Sequence, residues 1–211
     1  MGPFDVVVGL HAVGGSVALL AGPVPMVAAK GGRLHRRAGS LYAAAMLITA
    51  VTALFLAVAV NNVLLLVIAV FSFFLVFTGT RALARRRGQS IGFADRLVPW
   101  AALLFGVALF VRGAMLSDVT NLFFGVGGVV LAGRELRAIR DAETQWLLMH
   151  ITAMLGAYIA TFSAFLVVNI DFVSKPLLFI MPTLIATPFV AWTVVRYGRQ
   201  RSNGRMEAMQ P

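Results

Sequence analysis

Sixteen of the eighteen lysines and arginines of this chain fall in every second gap between long apolar runs or in the C-terminal tail. Lys30, Arg33, Arg36 and Arg37 form the first cluster, and Arg81, Arg85, Arg86, Arg87 and Arg96 the second. Arg134, Arg137 and Arg140 form the third, and Arg196, Arg199, Arg201 and Arg205 lie in the tail. The alternate gaps hold only Arg112 and Lys175, near Asp5, Asp118 and Asp171. Such alternation is how a multi-span membrane protein fixes its orientation, with the basic loops on the cytoplasmic side.

The apolar runs lie at about 4–29, 38–60, 63–83, 97–116, 119–133, 146–169 and 176–197, and a span needs about 17–25 residues. The expected fold is therefore an all-α integral membrane protein. It is a compact bundle of seven transmembrane helices, N-terminus outside and C-terminus cytoplasmic. The fifth run is the weak one. Fifteen residues separate Asp118 from Arg134, about 23 Å of helix. It crosses only if Arg134 and Arg137 snorkel outward. The N-terminus lacks the positive start of a secretion signal, so its run reads as a retained first span. Residues 1–198 read as one domain, and 199–211 as a basic, polar cytoplasmic tail expected to be disordered. Gaps as short as Asn61-Asn62 and Ser117-Asp118 make successive helices antiparallel neighbours.

Composition agrees: 60% of residues are hydrophobic and 12% charged, against roughly 45–50% and 25% in soluble domains. The net charge of +10 is spread among the gaps, which suits anionic lipid headgroups at the cytoplasmic face rather than nucleic acid. With no cysteine, disulfides, iron–sulfur clusters and thiolate metal sites are excluded. No Ser-His-Asp, HExxH, paired intramembrane carboxylate or nucleotide-binding pattern occurs, so no catalytic motif supports an enzyme.

Small residues mark the buried faces. His11, Gly14, Gly15, Ala18 and Gly22 share one helical stripe, as do His150, Ala153, Ala157, Thr161 and Ala164. Gly125, Gly127, Gly128, Ala132 and Gly133 give the fifth run a similar surface. Close helix packing explains such stripes on its own. Pro23 and Pro25 should kink or end the first helix, and Pro182 and Pro188 the last.

Ionisable residues within spans are the candidate sites. His35 and His150 fall at the same, cytoplasmic level and are candidate ligand or proton-relay groups. His11 lies in the outer half, about 25 Å along its helix from the inner end, so a three-histidine zinc site is excluded. Three readings stand for the inner pair: axial ligation of one b-type haem, proton relay or pH sensing, or a hydrogen bond at a helix end. Lys30, Arg33, Arg36, Arg37 and Arg112 are candidate anion or lipid contacts. For Arg112, snorkelling or pairing with Asp118, Asp171 or Asp5 is the plainer reading.

The joint KGGRLHRRAGSLYAAAM, the run WLLMHITAMLGAYIATFSAFLVVN and the later MPTLIATP resemble a family of bacterial multi-pass membrane proteins of unknown function. The resemblance implies that His35 and His150 belong to recognisable motifs, with Gly31, Gly32, Gly39, Tyr42, Gly156 and Tyr158. It implies a bacterial inner-membrane location and carries no established activity to transfer. The layout is also similar to small helical cytochrome b proteins, in architecture alone. Three functions remain open: a small transporter or permease, a lipid- or partner-binding accessory protein, and a haem-binding redox protein.

Overall fold

The first apolar run breaks where its prolines fall. Helix α1 (Pro3–Ala21) stops at Gly22, and a short α2 (Pro23–Val27) follows. A proline has no N–H to give the carbonyl four residues back, so Leu19 loses its helical partner. In this computed structural model, which describes residues 2–140 and 146–207, the chain continues as α3 (Arg33–Ala59), α4 (Val63–Arg86), α5 (Phe93–Leu116), α6 (Val119–Arg140), α7 (Trp146–Asn169) and α8 (Lys175–Glu207). The described residues contain no strand.

Counting α1 and α2 as one, six helices are long and apolar enough to cross a membrane: α1–α2, α3, α4, α5, α7 and α8. The chain is an all-helical membrane protein. Helix α6 falls outside that set. Its apolar stretch ends at Gly133, and Arg134, Glu135, Arg137 and Arg140 occupy its last turns. Helix α8 runs through Pro182 and Pro188 without ending. Its helical backbone reaches Glu207, well into the segment whose composition suggests disorder; residues 208–211 lie outside the described residues.

Helix α4 is the centre. More than half (56%) of its most apolar stretch is buried, and it touches α3, α5, α6 and α7. Helices α1, α3, α4 and α7 form a closed ring, each packed on the next. Both α3 and α7 run antiparallel to α4, so they are parallel to each other across the ring. One core cluster fills it, around Ala18, Tyr42, Met46, Phe74, Leu75, Ala153 and Ala157. A second lies toward the other end, around Ile68, Phe71, Leu109, Phe124 and Phe179, with Phe124 ringed edge-on by Phe71, Phe123 and Phe179. The small-residue stripes do face inward: Gly14 and Ala18 on α1, Ala153, Ala157 and Thr161 on α7, and Gly125, Gly128 and Ala132 on α6 are buried.

Helices α5 and α6 make the tightest pair in the bundle. Ser117 turns the chain in a left-handed conformation (φ 53°). Asp118 then caps α6 by accepting from the backbone N–H of Thr120 (2.9 Å) and Asn121 (3.1 Å). A Cβ at Gly125 would sit 2.5 Å from the Phe110 nitrogen, and one at Gly106 would sit 2.9 Å from the Val129 nitrogen. Backbone meets backbone there, which only glycine permits. We expect Gly125→Leu to force the pair apart and cost about 1–3 kcal/mol; a lowered thermal midpoint of the detergent-solubilised variant is the check, and an unchanged midpoint would contradict this packing.

Candidate functional site

The two sequence motifs meet inside the ring. Tyr42 of α3 is buried, and its ring lies 6.2 Å, centroid to centroid, from that of Tyr158 on α7. The Tyr42 hydroxyl donates to the Met154 carbonyl over 3.4 Å, and the Tyr158 hydroxyl donates to the Leu19 carbonyl at 3.3 Å. Leu19 is the carbonyl that Pro23 leaves unpaired, so Tyr158 repairs the break in the first helix. Gly22 makes room for it, since a Cβ there would collide with the Tyr158 ring.

The histidine pair lies nearer the ends of the same two helices, close to the starts of α3 and α7. His35 is seven residues before Tyr42, and His150 eight before Tyr158, about 10–12 Å of helix in each case. The Nδ1 of His35 is 2.9 Å from the Pro25 carbonyl, and the Nδ1 of His150 is 2.9 Å from the Gly79 carbonyl on α4. A carbonyl oxygen can only accept, so each Nδ1 carries a proton, and in the neutral ring the lone pair is on Nε2. The two imidazoles are within electrostatic range of each other. Gly79 permits the approach: a Cβ there would meet Met154 at 3.0 Å and Ala153 at 3.3 Å.

His11 follows the same rule elsewhere. Its Nδ1 lies 3.1 Å from both the Thr49 carbonyl and the Thr52 hydroxyl oxygen of α3. Since Thr52 already gives its proton to the Ile48 carbonyl at 2.8 Å, His11 is the donor. The structure brings His35, His150, Tyr42 and Tyr158 into one seam and leaves His11 in the other half. No group of three or more metal-ligating His, Asp or Glu side chains occurs among the described residues.

The remaining joint residues form the turn that ends α2 and starts α3. Gly31 has φ +76°, a conformation that favours glycine. Gly32 is the N-cap of α3, and its N–H donates to the Ala29 carbonyl at 3.0 Å. Lys30 Nζ caps α2 through the carbonyls of Pro25 (2.9 Å) and Met26; partial burial holds its pKa below the ordinary lysine value. Arg36 donates to the Gly31 carbonyl. Arg33, Arg36 and Arg37 are all exposed. Gly39 packs toward Pro25, and Gly156 toward Leu75 of α4. Arg112, at the opposite end, lies 4.0 Å from Asp118 with both side chains well exposed, the pairing its position suggested.

Sequence reading missed two buried ion pairs beside the seam. Arg81 grips Asp95 with two parallel bonds of 2.7 and 2.8 Å, and Asp95 is only 2% exposed. Its carboxylate also accepts from the Gly92 N–H, and Arg81 further binds Gln89 and the Ser90 carbonyl. Arg85 meets Glu135 at 2.6 Å, with Glu135 4% exposed. Both acids lie just past the apolar limits drawn at Leu83, Leu97 and Gly133. The signal was that each is a lone carboxylate among arginines, where burial demands pairing.

Together these features define an all-helical integral membrane protein in which two core tyrosines and two part-buried histidines lie along α3 and α7. The model of a family described as "Predicted membrane protein (DUF2306)" matches residues 8–92, from α1 to the start of α5, which includes His11, His35, Tyr42, Arg81 and Arg85. No curated protein and no solved structure matches the chain.

Tyr158→Phe keeps the ring and removes the donor, so Leu19 loses its partner. The expected loss is about 1–3 kcal/mol, the cost of a buried group left unpaired. It is read as a fall in thermal midpoint in detergent, and no fall would show that the Leu19 carbonyl finds another donor.

Proposed function

We propose that this chain is a seven-span protein of the bacterial inner membrane that handles protons in a small transport path, with His35 and His150 as its relay groups. The observation that carries this reading is the matched pair of imidazoles. Each is fixed by an Nδ1–H bond to a backbone carbonyl, on parallel helices at one level, with Nε2 of the neutral ring left as a proton acceptor. Tyr42 and Tyr158 continue the seam toward the middle of the bundle, and Thr49, Thr52 and His11 lie beyond them on α1 and α3. A b-type haem held by the same two Nε2 atoms would need the space between α3 and α7, which Tyr42, Tyr158 and Met154 fill from about 10–12 Å further along the helices. That packing favours the relay.

Orientation belongs to the same proposal. Antiparallel packing collects the basic clusters at one end of the bundle, which the positive-inside rule makes cytoplasmic, with Arg33, Arg36 and Arg37 toward anionic headgroups. Helix α6 then crosses as the seventh span, its terminal arginines at the interface. The absence of cysteine makes this direct to test. Single-cysteine variants Asn62→Cys and Ser117→Cys should react with an impermeant maleimide added outside intact cells, while Ser90→Cys and Ser202→Cys should react only after permeabilisation. Labelling of Ser202→Cys from outside would mean that α6 does not cross.

The function is tested in liposomes carrying an internal pH dye, under a potassium gradient clamped with valinomycin. The wild-type protein should raise proton flux above empty liposomes, and His35→Ala and His150→Ala should return it to that background. No flux from folded wild-type protein would sink the relay. A stoichiometric Soret band in the purified protein, lost in both variants, would replace it with a redox function.

A further inference from the structure

The Arg85–Glu135 pair is built differently from Arg81–Asp95. In the latter both carboxylate oxygens are bonded. In the former, Oε1 of Glu135 takes Nη2 of Arg85, while Oε2 of Glu135, Nη1 of Arg85 and Oγ1 of Thr78 are buried without a partner. Thr78 and Glu135 line a partly open cavity of about 70 Å³ between α4, α6 and α7, with Leu75, Leu131, Arg134 and Met149 among its other walls. A polar cavity of this size has room for at least two waters at about 30 Å³ each, and buried waters sit where polar groups lack partners.

We propose that Glu135 is a proton-binding carboxylate served by water held in this cavity, deepening the relay reading on which its role in transport rests. Thr78 and Glu135 both line the cavity, so a water there can donate to Oε2 of Glu135 and either donate to or accept from the Thr78 hydroxyl. When a proton arrives as hydronium, the water passes it to Oε2 and is left neutral. The new O–H can donate to Thr78, and Oε1 keeps its bond to Arg85. Thr78 adjoins Gly79, whose carbonyl holds His150, so the carboxylate and the imidazole are linked through one turn of α4. The charged groups that act on Glu135 are Arg85 on α4 and Asp95 on α5 (itself paired with Arg81), with Arg134 beside it on its own helix; α7 brings only Leu148, Met149, Thr152 and Ala153 to the cavity. Arg85 opposes protonation and prevents a permanently neutral acid, while burial opposes a permanently ionised one.

The test is an infrared difference spectrum of the wild-type protein in liposomes, taken between acid and alkaline pH. A carbonyl band of a protonated carboxylic acid should appear on acidification, vanish in Glu135→Gln and survive in Asp95→Asn. Thr78→Val, which leaves every charge in place, should keep the band but shift its frequency and midpoint. A spectrum without such a band, or a band that persists in Glu135→Gln, overturns the proposal even where proton flux is present. A band that behaves as expected in a protein without flux upholds the carboxylate site and removes the transport reading instead.

Discussion

Inside a bilayer no water is available to satisfy a backbone carbonyl, so every break in a helix must be repaired by another part of the protein. The first helix of this chain is broken by Pro23 and Pro25, and the core is arranged around the repair. Leu19, deprived of its donor by Pro23, takes the Tyr158 hydroxyl of α7. Pro25, at the end of the short α2, takes His35 of α3 and Lys30. Two breaks in one helix thus recruit a residue from each of the parallel helices α3 and α7, which is why motifs more than a hundred residues apart converge.

The second constraint is charge. Burying an ion pair repays its desolvation only when the geometry is good and the remaining lone pairs are met. Arg81–Asp95 meets that condition: a two-pronged grip, an N–H from the α5 cap, and further bonds from the guanidinium to the connecting loop. It is a structural clasp between α4 and α5. Arg85–Glu135, one turn further along α4, does not meet it, and the shortfall sits on a cavity. Two pairs of identical chemistry, side by side, therefore have different uses: the satisfied one holds helices together, and the unsatisfied one leaves a carboxylate available.

Much of this architecture was legible in the sequence because its cause is local. The spacing of His11, Gly14 and Ala18, or of His150, Ala153, Ala157 and Thr161, is a direct consequence of helical pitch, and those faces are buried. The prolines of the first run end α1 as expected. Those of α8 do not, because neighbouring packing tolerates proline within a membrane helix. What the pattern hid is where helices outlast their apolar runs. Helix α4 continues to Arg86, α5 begins at Phe93 and α6 reaches Arg140. Charges that look like loop residues are then on helical faces, and Asp95 and Glu135 turn inward. A pairing between α4 and α6 depends on three-dimensional neighbours that no local periodicity records.

The tautomers join these observations into one device. All three histidines have Nδ1 against a backbone carbonyl, which by itself is what a helix-end hydrogen bond looks like. The difference lies in surroundings. His11 also meets the Thr52 hydroxyl of α3 in the other half of the bundle. His35 and His150 lie within electrostatic range of each other. His150 is anchored at Gly79, next to the unpaired Thr78 hydroxyl that faces the Glu135 cavity. Any shift of α4 at this turn alters the imidazole's anchor and the carboxylate's neighbour together. On the proposed relay, that shared turn is where a proton bound on one side of α4 would be felt on the other.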